Sequence, residues 1–241
     1  MYIYIELKLY DMQEVNLKSS ILESLKDKAK LKYLVYDNTK AAFELLKDVL
    51  KDLTEEYNDS VKEISEDDRL KFIYEERTDT DISIRVASEL ILFSLHSNVF
   101  QFNRENDIWN NPYVMISPAN AYSGMITMYN FLSDSFDYNR MEDLGYLVGR
   151  IFINRQNHFI VEGKRQIGFK QRDFEKAVLT RECLRTVVER ALNYALNFDL
   201  LVPLYDNIKI ASVAQMHEKE LNARIRTGKR LGFRFNSDDV K

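Results

Sequence analysis

The spacing of apolar and polar positions divides the chain into blocks with two different periods. Residues 1–10 alternate cleanly: Ile3, Ile5, Leu7 and Leu9 fall on one side, and Tyr2, Tyr4, Glu6, Lys8 and Tyr10 on the other. That period of two predicts a strand with one buried face. Leu17, Ile21, Leu25 and Ala29 then recur every four residues and draw a single helical stripe. A short connection through Tyr36 leads to Asp37 and Asn38, either of which can cap a second helix. That helix extends to Ile64 on a stripe of Ala42, Leu45, Leu46, Val49, Leu50, Leu53, Tyr57, Val61 and Ile64. Two amphipathic helices with a short connection predict an αα-hairpin.

Past Ser65-Glu66-Asp67-Asp68 the period returns to two. Residues 70–76 and 81–87 read as strands around Arg77-Thr78-Asp79-Thr80, with Ile82, Ile84 and Val86 alternating with Ser83 and Arg85. Residues 90–95 form a further apolar strand, and 101–112 an ordered polar loop around Trp109. Residues 113–117 and 124–131 predict another antiparallel pair, joined through Pro118-Ala119-Asn120.

The segment 138–172 is harder to place. Met141, Leu144, Leu147, Val148, Ile151 and Phe152 have helical spacing, and Asn139 with Glu142 makes a capping pair, so 140–153 is read as a helix followed by a strand at 158–163. The competing reading pairs 150–154 with 158–162 in a hairpin around Arg155-Gln156-Asn157, and Gly145 and Gly149 count against the helix. Residues 174–198 give the strongest helix, with Val178, Leu184, Val187, Val188, Ala191, Leu192 and Ala195 on its buried side. A last helix is expected over 209–226 and a short strand or tail over 231–235.

These elements predict a mainly helical α+β protein whose antiparallel sheet of about five or six strands is flanked by an N-terminal helical hairpin and C-terminal helices. The expected organisation is one compact domain: a strand and helical hairpin over 1–66, a sheet region over 67–172, and a basic helical region over 173–241. The 241 residues are 45% hydrophobic and 30% charged, which suits a globular chain and not a disordered one. With only 7 Gly and 3 Pro, long structureless linkers are not expected.

A single cysteine, Cys183, excludes an intrachain disulfide and a four-thiolate zinc site, and its apolar mid-helix neighbours predict a buried, inert thiol. The opening residues lack the layout of a secretory leader and no apolar run reaches the length of a membrane span, so a cytoplasmic location without membrane contact is expected.

Charge changes this picture more than composition does. Residues 1–145 carry 16 Lys/Arg against 27 Asp/Glu, a net of −11, whereas 146–241 carry 18 against 11, a net of +7. The basic residues cluster in two stretches, GKRQIGFKQR at 163–172 and GKRLGFRF at 228–235, which share Gly-Lys-Arg followed by Gly-Phe. Lys164, Arg165, Lys170 and Arg172 belong to the first, and Lys229, Arg230 and Arg234 to the second, with Arg224 and Arg226 just ahead of it. Lysine and arginine offer a phosphate both charge and donors, and Phe169 and Phe233 are placed to stack on bases, as in single-strand binding. The bland reading is that these cations cover helix ends and pair with the acidic half, with the phenylalanines in the core.

Several chemistries lack their residues. No nucleophile elbow, complete phosphate loop or dinucleotide fingerprint occurs, and His96, His158 and His217 share no metal-ligand spacing. Glu162-Gly163-Lys164 at a strand end resembles the Glu-x-Lys half of the PD-(D/E)xK nucleases, a resemblance that implies Mg²⁺ on Asp143 and Glu162 and a water-orienting Lys164.

The leading expectation is therefore a non-enzymatic binder of an anionic ligand, RNA or single-stranded nucleic acid above all, acting as a subunit of a larger assembly without a cofactor. The alternatives are that Mg²⁺-dependent nuclease, and an interaction subunit with no nucleic-acid affinity that associates with a protein partner or with itself.

Overall fold

The computed structural model describes residues 16–141, 143–163 and 174–198. Residues 16–64 are helical without a break: 16–24, a π-helical turn at Leu25–Ala29, and the long helix α1, Lys30–Ile64. The predicted hairpin of helices is thus one helix. Asp37 and Asn38 do not cap it but lie inside it, because neither residue costs enough helix propensity to stop a helix that has no Gly or Pro nearby. Asn38 instead uses its side chain sideways, donating from Nδ2 to the Asn154 carbonyl at 3.1 Å. Thr39 turns its hydroxyl back onto the Val35 carbonyl at 2.7 Å, which also removes a buried donor that would otherwise need a partner.

Among the described residues the sheet has seven strands: β1 (Ile73–Glu76), β2 (Asp81–Val86), β3 (Glu89–Leu95), β4 (Phe100–Gln101), β5 (Tyr122–Leu132), β6 (Tyr146–Asn154) and β7 (Phe159–Gly163). All pairings are antiparallel, in the order β1-β2-β3-β5-β6-β7, with β4 beside the first residues of β5. The α+β class stands, and the β1–β2 hairpin turns where the sequence places it.

Three local expectations change. Residues 146–154 form a strand, not the end of a helix, and turn into β7 through Arg155-Gln156-Asn157. An irregularity opposite Met128 and Tyr129 puts Val148 in the helix-side core with Ile151 and Ile153, while Arg150 and Phe152 face away, so the run carries no clear period of two. Gly145, just ahead of β6, has no room for a side chain: a Cβ there would lie 2.5 Å from Phe131 Cδ1. Residues 113–117 do not pair with β5; Pro112–Ile116 is a short helix, α2, started by Asn111, whose side chain accepts from Tyr113 N at 3.0 Å. The strong helix begins later than its hydrophobic pattern suggests: α4 spans Arg181–Leu196, capped by Thr180, and leaves Val178 outside it and exposed. Between β5 and β6 lies one further short helix, α3 (Ser133–Asp137). The expected strand at 1–10, the helix at 209–226 and the tail at 231–235 lie outside the described residues.

Both long helices lie on one face of the sheet. Phe43, Leu46, Leu50 and Leu53 of α1 and Leu184, Val188 and Leu192 of α4 share one core with Ile82, Ile84, Ile91, Phe93, Ile126, Ile151 and Ile153 of the strands. The helices are tied to each other by Arg185, whose Nη1 and Nη2 donate to the two Glu56 carboxylate oxygens at 2.7 and 2.8 Å, and by the Arg181–Asp52 pair. Helix and sheet approach closely at Gly124 of β5, where any Cβ would sit 2.8 Å from Thr39 Cβ and closer still to its hydroxyl.

Candidate binding cleft on the open face of the sheet

The side chains that alternate away from the helices make a second face. Register places Ser123 beside Asn154, Met125 beside Phe152, and Thr127 beside Arg150, with Phe152 opposite Ile160 and Arg150 opposite Glu162 on the next strand. Among the described residues no long helix covers this face. One end of it is closed by residues 100–121, which include β4, a 3-10 turn at Asp107–Asn110, α2 and a second 3-10 turn at Pro118–Ala121. A small apolar cluster of Ile108, Val114, Ala121 and Phe174 holds this region in place, with Trp109, Tyr113, Phe102 and Ile160 packed against it.

Between that region and the sheet lies a cleft of about 880 Å³. Its apolar walls include Phe100, Phe102 and Phe152. Phe102 and Phe152 meet with ring centroids 4.9 Å apart, and Phe100 is 36% exposed. The polar lining is dominated by amides, among them Asn103, Asn106, Asn110 and Asn111. Two of these are oriented by the backbone. Asn106 Oδ1 accepts from Ile108 N at 3.0 Å and starts the 3-10 turn, just as Asn111 starts α2. A carbonyl oxygen committed to a cap leaves the NH₂ end of the same side chain as the group still on offer.

Ser123 lies at the sheet side of the cleft, 1% exposed, and its Oγ has no hydrogen-bond partner among the described residues. A buried hydroxyl without a partner costs free energy. Arg150 and Glu162 close the far wall as an ion pair, with Nε 2.7 Å from Oε2 and the guanidinium 5.2 Å from the Phe152 ring centre.

Behind the cleft the β6–β7 turn is built as a polar clamp. Asn154 Oδ1 accepts from Gln156 N at 2.9 Å and His158 N at 3.1 Å, while its Nδ2 donates to the Tyr113 hydroxyl at 3.0 Å. Arg155 Nε donates to Asn120 Oδ1 at 2.9 Å, and Asn120 Nδ2 to the Tyr113 carbonyl at 2.8 Å. Burial pushes the Tyr113 phenol upward, against the Asn154 amide and the Arg155 charge, which pull it down. His158 stacks beside Tyr113 at 5.1 Å.

The residues singled out from sequence fall in two groups. Lys164, Arg165, Phe169, Lys170 and Arg172 lie outside the described residues, as do Arg224, Arg226, Lys229, Arg230, Phe233 and Arg234. Glu162 is described and faces Arg150. Asp143 lies ahead of β6, where Ser135 Oγ donates to its Oδ2 at 2.7 Å and Arg140 stands 3.9 Å from that oxygen. Each carboxylate thus has a different arginine, and among the described residues no group of three or more His, Cys, Asp or Glu could hold a metal ion. Cys183 is half-buried on α4, less enclosed than its neighbours in sequence suggest, because it stands in the first turn of the helix.

Ser123 and the four asparagines went unmarked by sequence reasoning. The signal available was the density of asparagine around Trp109 and Pro112, which reads as turn chemistry and does not distinguish caps from ligand-facing amides. Among the described residues no helix is long and apolar enough to cross a membrane. No family model, no curated protein and no solved structure matches this chain.

Proposed function

We propose that this protein is a non-enzymatic binder of RNA or single-stranded nucleic acid that works within a larger assembly. The observation that carries this reading is the position of the basic stretch 164–172 in the chain. It leaves β7 directly after Glu162 and Gly163 and rejoins the described chain at Phe174, and Glu162 and Phe174 both line the cleft. Lys164, Arg165, Lys170 and Arg172 are therefore tethered at both ends to a site walled by aromatic rings and amides. An antiparallel sheet face that carries aromatic rings is a general way to bind unstacked bases, while cations take the phosphates. Lys229, Arg230, Arg234, Arg224 and Arg226 are assigned to the same backbone-binding role through the shared Gly-Lys-Arg motif, with Phe169 and Phe233 as stacking residues.

The assembly part of the reading is supported by the first helical residues. From 16 to 34 no side chain is buried, yet Leu17, Ile21, Leu22 and Leu25 are all more than half exposed. Such a ridge is costly in water and suits a protein partner.

The test is fluorescence anisotropy of a labelled single-stranded RNA across a salt series. Binding should weaken with a log–log slope of about −0.7 for each phosphate contacted. Lys164→Glu combined with Arg230→Glu should lower affinity at least tenfold at low salt while the melting curve stays unchanged, as expected for lost phosphate contacts. Undiminished binding by that folded variant would refute the assignment of the basic stretches.

A further inference from the structure

We propose that the cleft holds one unstacked base of the bound strand and favours a base with a carbonyl-rich edge, uracil over cytosine. This rests on the nucleic-acid reading above but uses different residues. The cleft, at about 880 Å³, is large enough for a nucleotide and falls within the usual range of small-ligand sites. Its chemistry is divided in the way a base requires. Phe100, Phe102 and Phe152 supply ring surface for a flat apolar face. Two of the lining amides offer donors alone: the NH₂ ends of Asn106 and Asn111, whose oxygens are taken by backbone caps at 3.0 Å.

Ser123 Oγ is the second, independent pointer. It is buried, lines the cleft and has no partner among the described residues, and a hydroxyl can both give and accept a hydrogen bond. One of the two carboxylates of the lining is already paired. Glu162 is occupied by Arg150, and Asp107 is exposed on the first turn of its 3-10 segment. Uracil would bring carbonyl oxygens to the amide donors and leave its ring N–H for the hydroxyl. Cytosine would bring an exocyclic amino group to the same donors, leaving polar groups unpaired. Sites built this way discriminate strongly, because the wrong ligand strands buried groups.

The experiment compares labelled ten-nucleotide RNAs of uridine, of cytidine and of the same ribose-phosphate backbone without bases, titrated against the full chain at low salt. The uridine oligomer should bind roughly tenfold or more tightly than the abasic one, the scale of losing a stacked base, and several-fold more tightly than the cytidine oligomer. Ser123→Ala should fold normally, since its hydroxyl makes no bond to lose, and should narrow the uridine–cytidine difference. Phe102→Ala should weaken uridine binding and leave abasic binding alone.

Equal affinity for all three oligomers, with equal salt slopes, would overturn the base site while leaving the phosphate-binding role of the basic stretches intact. A folded Ser123→Ala that keeps the whole uridine preference would equally overturn it. Absence of binding by any oligomer would remove the nucleic-acid reading itself, and the base site with it.

Discussion

The two faces of one sheet divide the work of this molecule. On the helix side, Ile84, Ile91, Phe93, Ile126 and Ile151 are entirely buried and meet α1 and α4 in a single core. On the other side the same strands present Ser83, Ser94, Thr127, Arg150 and Glu162, an assortment of hydroxyls and charges, with residues 100–121 roofing one end and Arg77, packed on Phe136 of α3, covering Ser83 at the other. Successive side chains on a strand point to opposite faces, so neighbours in sequence belong to different environments. On the proposed reading, stability and binding are separable one residue apart. Substitutions on the helix side should act on folding, and substitutions on the open side should act on ligand.

The sharpest way to break that division is at Gly124, where helix and sheet approach closely. A side chain on residue 124 would run into the hydroxyl, Cβ and Cγ2 of Thr39 together, and the helix cannot retreat without opening the core. Gly124→Ala should cost about 3 kcal/mol in urea unfolding, the upper end for overpacking, and Gly124→Val should leave little folded protein. Thr39→Gly removes all the clashing atoms, so the double variant with Gly124→Ala should be more stable than the two single costs predict. Simple additivity would mean that the strain is absorbed elsewhere and that the contact does not set the helix–sheet distance.

A milder comparison sets two residues of adjoining strands against each other. Phe93 is fully buried on the helix side, and Phe93→Ala should cost about 3–5 kcal/mol. Thr127, half-buried on the open side with its hydroxyl 3.4 Å from the Ser94 carbonyl, should lose only about 0.5 kcal/mol as Thr127→Ala. Similar losses at both positions in denaturant melts would mean that the open face is also core.

Much of the helix side was legible in the sequence, because an amphipathic element writes its buried face as a period. Ala42, Leu46, Val49, Leu50 and Leu53 were all on the predicted stripe and all are buried, as are Ile82, Ile84 and Val86. What failed had a physical cause each time. Leu17, Ile21 and Leu25 also make a stripe, but they are exposed, since a period shows that a face is apolar and not what covers it. The 146–154 strand carries an irregularity that broke its period, and the strand expected at 113–117 became a helix once Asn111 capped it. The cleft was illegible for a different reason. It is assembled from Phe100, Ser123, Phe152 and Phe174, which no spacing rule relates, and its donor character depends on which asparagine oxygens the backbone has claimed.

The smallest expected effect probes the open face by acid as well as by substitution. Asp81 begins β2 on the open side and is the acceptor of a hydroxyl cluster: Thr78 Oγ1 and Thr80 Oγ1 donate to its Oδ2 at 2.6 and 3.1 Å, and Ser94 Oγ donates to its Oδ1. Burial by itself would push the Asp81 carboxyl up, but the three hydroxyls outweigh it and hold it below the ordinary carboxylate range. A carboxylate with a lowered folded-state pKa contributes stability that is fully present above its unfolded value, about 3.9, and that is lost as pH falls through the folded value. On the helix side the Arg185 guanidinium holds the Glu56 carboxyl low and the Lys51 ammonium does the same for Glu76, so Asp81 supplies only part of the acid dependence. Urea midpoints should therefore fall as pH drops below about 4, and Asp81→Asn should lower the plateau at neutral pH while flattening that part of the acid limb. An acid limb of unchanged steepness in Asp81→Asn would show that the hydroxyl cluster is not what ties the turn end of the β1–β2 hairpin to β3.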